Sequence, residues 1–329
     1  MKKFLVFMLF VVICGVAFAQ NNENKKSAFQ FSFVTPIGTN GLRSCDYTNT
    51  ASLNLLVGVS RNEKAFTFAG LTNVILNDAS GLQFAGISNH VGNEGRGCQF
   101  AGLANTNKGT FKGVQFAGIL NTASQMSGTQ FSGLVNMAKD VKGVQFAGLI
   151  NIAKDVKGAQ FSGLVNIAEN SDVPIGLINI IKNGEMGVAV TYDGIGNVVA
   201  SFRSGGKYTY GILGVGYNHK VNKNELVTEG GFGAHIPVTS WFRINNELKA
   251  TSIGCDSSNP VLNAGYSLLP AFRIGRHFEL FGGASFNYMQ TDNVNNSKVF
   301  PNHSLWKRYD SNRLQQLYIG YQCGVQYIF

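Results

Sequence analysis

Hydrophobic and polar residues alternate along most of this chain, the pattern of strands with two unlike faces, and amphipathic helical spacing is nearly absent. The alternation is sharpest in six near-copies of one segment. They read GLQFAGISN from Gly81, GCQFAGLAN from Gly97, GVQFAGILN from Gly113, GTQFSGLVN from Gly128, GVQFAGLIN from Gly143 and GAQFSGLVN from Gly158. Set out as a strand, with side chains pointing to alternate faces, the fifth copy has Val144, Phe146, Gly148, Ile150 and Ile152 on one face. Gln145, Ala147, Leu149, Asn151 and Ala153 take the other. Phe84, Phe100, Phe116, Phe131, Phe146 and Phe161 follow one another at intervals of 16, 16, 15, 15 and 15 residues. Such an interval has room for one membrane-length strand of about 9–11 residues and a short turn.

An apolar outer face and an amide inner face are what a barrel in lipid requires. The expected fold is therefore all-β: a single antiparallel transmembrane β-barrel of about 18 strands over residues 20–329. Repeat strands fill 64–182 and C-terminal barrel strands fill 183–329. Phe and the branched residues would meet hydrocarbon, while Gln83, Gln99, Gln115, Gln130, Gln145 and Gln160 line the lumen. Asn89, Asn105, Asn121, Asn136, Asn151 and Asn166 would line it with them. Each copy is then one strand, so deleting one copy would reverse every strand after it. A rival architecture fits the same period: a flat β-solenoid with one coil per 15–16-residue repeat, Asn and Phe stacked in ladders, followed by an eight-stranded barrel over about 186–329.

The last eight strands are expected near 186–193, 196–204, 207–219, 226–238, 241–253, 260–274, 277–291 and 314–329. Their inner faces are more polar. Arg243, Glu247 and Lys249 oppose Phe242, Ile244, Leu248 and Ala250, and in the strand before, Glu229 and His235 oppose Phe232, Ala234 and Ile236. These five charged and titratable residues are expected to line a wet lumen of mixed sign. The longest connections, about 38–51 and 292–313, fall on one side of such a barrel and the tightest on the other. Barrels put long loops outside and short turns in the periplasm. From Leu317 to Phe329 one face is wholly apolar, which resembles the closing strand of an outer-membrane barrel. Tyr208, Tyr210, Trp241, Phe278, Tyr288, Tyr327 and Phe329 suit interfacial girdles.

Composition sharpens the environment. Charged residues make up 14% of the chain, where about a quarter is usual for a soluble domain. The formal charge of +9 resides in turns such as Lys139-Asp140-Val141-Lys142 and forms no stripe for nucleic acid. Residues 1–19 begin with Lys2 and Lys3, continue with an apolar run and end Ala17-Phe18-Ala19, as a cleavable secretory signal does. No later apolar run is long enough for a transmembrane helix.

The five histidines, His90, His219, His235, His277 and His303, lack metal-ligand spacing, and Gly194-Ile195-Gly196 opens no helix that could cradle phosphate. No catalytic residue, cofactor or metal is expected, and no enzymatic activity. Cys98 and Cys323 fall on apolar faces as small apolar residues. Cys45 and Cys255 share the outer side, where a disulfide is allowed.

The unit G-x-Q-F-[AS]-G-[LI]-x-N, with FVTPIGTNG at 33–41, LNLLVGVS at 53–60 and VPIGLINIIKNG at 173–184, resembles the surface-repeat outer-membrane proteins of Bacteroidota-type bacteria. The resemblance covers most of the chain after residue 19. It implies an outer-membrane or surface location and no activity. Two functions fit: a passive diffusion channel for small polar solutes, and a structural or adhesin-like surface protein with a narrow or plugged barrel. Expected partners are outer-membrane lipid and, through the strand ending at Phe329, the barrel-assembly machinery. Nucleic acid is not among them, and the sequence names no surface partner.

Overall fold

The computed structural model describes residues 24–220, 225–254, 260–292, 298–310 and 313–329. The signal segment 1–19 and Cys255, with its expected pairing to Cys45, lie outside the described residues. The chain divides into two compact units, Met1–Asp155 and Val156–Phe329.

The first unit is a stack of β coils. Each copy folds as a strand, a tight turn and a second short strand, as in Gly95–Ala101 followed by Ala104–Asn107. The strands of the repeat copies pair in parallel with their counterparts one coil away, with the Gly, Gln, Phe and Asn of one copy on those of the next. Gly113 lies between Gly97 and Gly128, Gln115 between Gln99 and Gln130, and Phe116 between Phe100 and Phe131. The short strands behave alike, with Asn89 between Asn73 and Asn105. The N-terminal strand Lys25–Val34 extends the stack by pairing in parallel with Tyr47–Ser60. Inside run Ala69, Ala85, Ala117, Ala138 and Ala147, with Phe111, Met126 and Val141 filling the wider end beside the charged turns.

This geometry overturns the single 18-strand barrel. Consecutive strands of an up-and-down barrel run antiparallel, whereas the copies here run parallel in identical register. Both architectures show the same period-two alternation within a strand. What differs is the partner: 15 or 16 residues make a whole coil of two strands and two turns, so each copy returns above its predecessor.

In the second unit the coils continue, with Val165–Ala168 parallel to Ile178–Ile181. The architecture then changes. Eight antiparallel strands, Glu185–Asp193, Asn197–Gly205, Thr209–Asn218, Glu225–Pro237, Phe242–Ile253, Val261–Ile274, Phe278–Thr291 and Arg313–Ile328, pair in sequence order. The first also pairs with the eighth, Gly187 with Ile328 through Asp193 with Gln322, which closes a barrel. Trp306–Asp310 adds a short strand along the eighth. The alternation resolves as expected there: Ile319, Tyr321, Val325 and Tyr327 face out, while Tyr318, Gln322 and Gln326 face in. An eight-strand barrel is just wide enough for its interior to be filled by side chains.

Because a solenoid has no strand parity, removal of Gly128–Lys142 alone should leave the flanking coils in register. The shortened protein is expected to assemble as well as one lacking both Gly128–Lys142 and Gly143–Lys157, compared by the gel mobility of unheated and heated samples. A severe assembly defect confined to the single deletion would contradict the coil assignment.

Candidate functional sites: amide ladders and a charged barrel interior

The Gln and Asn rows form ladders inside the coils. Gln99 Nε2 donates to Gln83 Oε1 at 2.8 Å, Gln115 to Gln99 at 2.7 Å, Gln130 to Gln115 at 2.8 Å and Gln145 to Gln130 at 2.9 Å. The asparagine ladder donates the opposite way. Asn89 Nδ2 reaches Asn105 Oδ1 at 2.9 Å, and the bonds from Asn105 to Asn121, Asn121 to Asn136 and Asn136 to Asn151 are each 3.0 Å. Asn89, Asn105, Asn121 and Asn136 also donate to the backbone oxygen of the phenylalanine one coil on, as Asn136 does to Phe146 O at 2.6 Å. This couples Asn to Phe in the repeat: the amide of one coil holds the strand of the next.

Outside, the phenylalanines stack, Phe84 on Phe100 at 4.9 Å and onward through Phe116, Phe131 and Phe146 at 4.8–5.1 Å, with ring planes within 7°. Offset stacks of this kind contribute about 0.5–1.5 kcal/mol a pair beyond area burial. The leading glycine of each copy is a steric requirement. Gly128 has φ +132, and a Cβ there would overlap the carbonyl oxygen of Gly113.

The structure therefore corrects the placement of all twelve amides. Gln83, Gln99, Gln115, Gln130, Gln145, Asn89, Asn105, Asn121, Asn136 and Asn151 in the first unit, and Gln160 and Asn166 in the second, have no solvent exposure. They line the dry interior of coils and no barrel lumen. The facing assignment holds for the amides and the phenylalanines, but Leu149, assigned to the inner face, is exposed in the turn between Val135–Ala147 and Ile150–Ile152. The medium on the inner side is protein, because the second strand of the coil closes over it.

The N-terminal end of the first unit carries a buried carboxylate. Glu63 Oε1 accepts from Asn49 Nδ2 at 3.0 Å and from Ser52 Oγ at 2.7 Å. Burial raises its pKa, and the bonds from Asn49, Ser52 and Ser60 oppose that rise.

In the second unit the asparagine ladder ends on the barrel. Asn166 Nδ2 donates to Asn179 Oδ1 at 2.8 Å; Asn179 Nδ2 then donates to Ser204 O at 3.0 Å, and Ser204 Oγ accepts from the Asn179 backbone N–H at 2.9 Å. Ser204 points outward from the second barrel strand yet is fully buried beneath this coil.

Inside the barrel stand Glu229, His235, Arg243, Glu247 and Lys249, joined by groups the sequence reading missed. Glu247 pairs with Arg203 at 2.8 Å and accepts from Tyr210 Oη at 2.8 Å. Lys249 pairs with Glu229 at 3.0 Å and donates to Gln322 Oε1 at 2.7 Å. Arg243 bridges Glu279 and Glu185, both at 2.7 Å, and Arg273 adds a bond to Glu185 at 2.6 Å. His235 Nδ1 bonds Asn245 Oδ1 at 2.8 Å, and its ring stacks on Tyr210. Strand parity alone puts Arg203 on the inner face beside Ser201, so the signal was present. What parity does not give is which charges meet across the barrel.

Ala189, Val199, Ile212, Leu269, Ala271 and Phe281 fill the space between these charges. A polar cavity of about 30 Å³, lined by Glu229, Lys249, Asn263, Tyr318 and Gln322 among others, remains. That holds at most a couple of water molecules. Among the described residues no group of three His, Cys, Asp or Glu is placed to hold a metal ion.

No family model and no curated protein matches the chain. A solved structure described as "De novo design of transmembrane beta-barrels" aligns with 44% of this chain and 93% of its own length, at 18% identity and a TM-score of 0.26. A likeness of that size carries no weight for fold or function.

Two substitutions probe these networks. Asn136→Leu removes bonds to Asn121, Asn151 and Phe146 O and should cost about 3 kcal/mol, since each orphaned buried group costs about 1–3 kcal/mol. Val144→Thr, on the half-exposed outer face, should cost under about 0.5 kcal/mol. Urea midpoints would separate them, and equal losses would refute the ladder. In the barrel, Glu247→Ala strands Arg203 and should cost about 3–5 kcal/mol. The double variant Glu247→Leu, Arg203→Met should recover most of it, read as the temperature at which gel mobility changes.

Proposed function

We propose that this is a non-enzymatic outer-membrane protein whose closed barrel anchors the chain in lipid. The observation that carries the reading is a closed eight-strand wall with an apolar exterior. Val190, Leu213, Val215, Phe232, Leu248, Leu268, Leu280 and Ile319 all point outward and stand between 38% and 66% exposed. A continuous apolar band around a closed sheet suits hydrocarbon and would be a liability in water. Tyr208, Trp241, Phe278, Tyr327 and Phe329 are exposed at the end with the short turns, the place of an aromatic girdle at a membrane interface.

The filled interior favours anchoring over the diffusion-channel alternative. A solute would have to displace the Arg203–Glu247 and Lys249–Glu229 pairs in a space already occupied by Tyr210, Leu269 and Phe281. Membership of the surface-repeat group and assembly through the strand ending at Phe329 belong to the same proposal.

Planar-bilayer recording on the refolded protein tests it. The expected outcome is a protein that partitions with the outer membrane, changes gel mobility on heating and adds no steady conductance to the bilayer. A stable open channel would restore the diffusion reading, and recovery as a detergent-free soluble protein would end the anchoring one.

A further inference from the structure

The coils are polarised from edge to edge. In the first unit the tight Gly-Leu turns bring Leu103, Ile119, Leu134 and Leu149 into one column, linked by backbone bonds from Ile119 N to Leu103 O at 2.9 Å and from Leu149 N to Leu134 O at 3.1 Å. All four side chains are exposed. The opposite edge carries exposed Lys108, Lys112, Lys139, Lys142 and Lys154. The second unit repeats the division, with Leu164 exposed on one edge and Lys157, Lys182 and Glu169 on the other. The faces between bear Phe161, Val165, Ile167 and Ile180.

The contact between the last coil and the barrel sets the level of these edges. Near the rim, Thr209 Oγ1 donates to Pro174 O at 2.7 Å, beside the short turn that carries the exposed Tyr208. Farther up the wall Gly211 has no side chain, and a Cβ there would overlap the carbonyl oxygens of Gly176 and Leu177. Leu177 Cδ2 comes within 3.9 Å of the Cβ position of Gly230, whose ladder partner is Leu213, in the middle of the third barrel strand. The charged turn therefore sits at the rim and the leucine turn at mid-wall. Leu164 follows Leu177 in register, with Ile178 N bonded to Leu164 O at 2.9 Å. It lies at the same level and is open to whatever surrounds the barrel.

We propose that the coils of the second unit are inserted, leucine edge first, into the membrane leaflet on the short-turn side, so that the occupant of their apolar edge is lipid acyl chain. This rests on the anchoring reading above. Three features fit. From Lys157 to Leu164 the path is about 23 Å at about 3.3 Å per residue, against about 15 Å for half of a bilayer's hydrocarbon core. Backbone groups in the coils bond to neighbouring coils, as structure in lipid must. The leucine edge also continues the apolar belt formed by Leu213 and Val215. Short turns mark the periplasmic side of barrels, so the lysine edge of these coils would lie at the periplasmic interface.

The test places an environment-sensitive fluorophore on single cysteines in the full chain, its own cysteines replaced, in phosphatidylcholine vesicles. The sites are Leu164→Cys, Lys157→Cys and, on the barrel belt, Val215→Cys; heat-sensitive gel mobility confirms that each variant has folded. Lipids spin-labelled in mid-chain should quench the Leu164 site as strongly as the Val215 site and several-fold more than the Lys157 site. Aqueous iodide should show the reverse order. Iodide quenching at Leu164 with lipid quenching kept at Val215 overturns the insertion and leaves the anchor intact. Shielding of Leu164 from both quenchers also overturns it, in favour of a second copy of the chain on that edge. Loss of lipid quenching at Val215 as well removes the anchoring reading and the insertion with it. Val165→Cys, next to Leu164 in the same coil, serves if the label at Leu164 prevents folding.

Discussion

A primary amide buried without partners is costly, because two donors and an acceptor are taken from water at once. Stacked on its own copy one coil away, the amide meets its match in geometry and chemistry, since the donor of one faces the acceptor of the next. The array depends on this constraint. It requires Gln at one inner position and Asn at another in each of the six copies, and it forces parallel, identical register, because a slip of one residue would set each amide beside an outward-facing residue of its neighbour. The glycine of each copy follows from the same closeness: Gly128 lies too near Gly113 for any Cβ. The phenylalanine stack on the outer face is a consequence of register imposed from within.

The two architectures treat polarity differently. The coils bury neutral amides in a repetitive row, each satisfied by its neighbours. The barrel buries charges, and each must find a specific opposite across the interior: Arg203 with Glu247, Lys249 with Glu229, Arg243 with Glu185 and Glu279. Removal of one member leaves an ion in a medium that solvates it poorly. Repetition is tolerant of added or lost units, since each coil contacts its neighbours. A closed barrel is not, because its strand number and its filling are set together. Asn179 joins the two regimes inside the second unit, handing the last rung of the amide ladder to Ser204 on the barrel wall.

Much of this was legible in the order of residues. Alternation determined that the protein is all-β, and it put Gln145 inward and Phe146 outward, Arg243 inward and Phe242 outward; it failed at Leu149, because the turn there breaks the period-two pattern. It gave the eight C-terminal strands to within about two residues of their ends, because turns and charges punctuate them. The ionic residues Glu229, His235, Arg243, Glu247 and Lys249 were found by the same parity. Their partners Arg203, Glu185 and Glu279 were not, since pairing across a barrel depends on strand tilt and closure.

What the sequence by itself could not decide was which strand lies beside which. A strand of period two looks the same whether its neighbour is the next segment running back or the next copy running the same way. Only the tertiary structure made that choice, and with it the medium each face meets. Parallel stacking turned the Gln and Asn rows from a wetted lumen into a dry interior, and it turned a barrel of about 18 strands into coils followed by eight. The physical reason is that hydrogen bonds between strands, and the like-on-like ladders they permit, are long-range interactions that a local pattern allows without specifying.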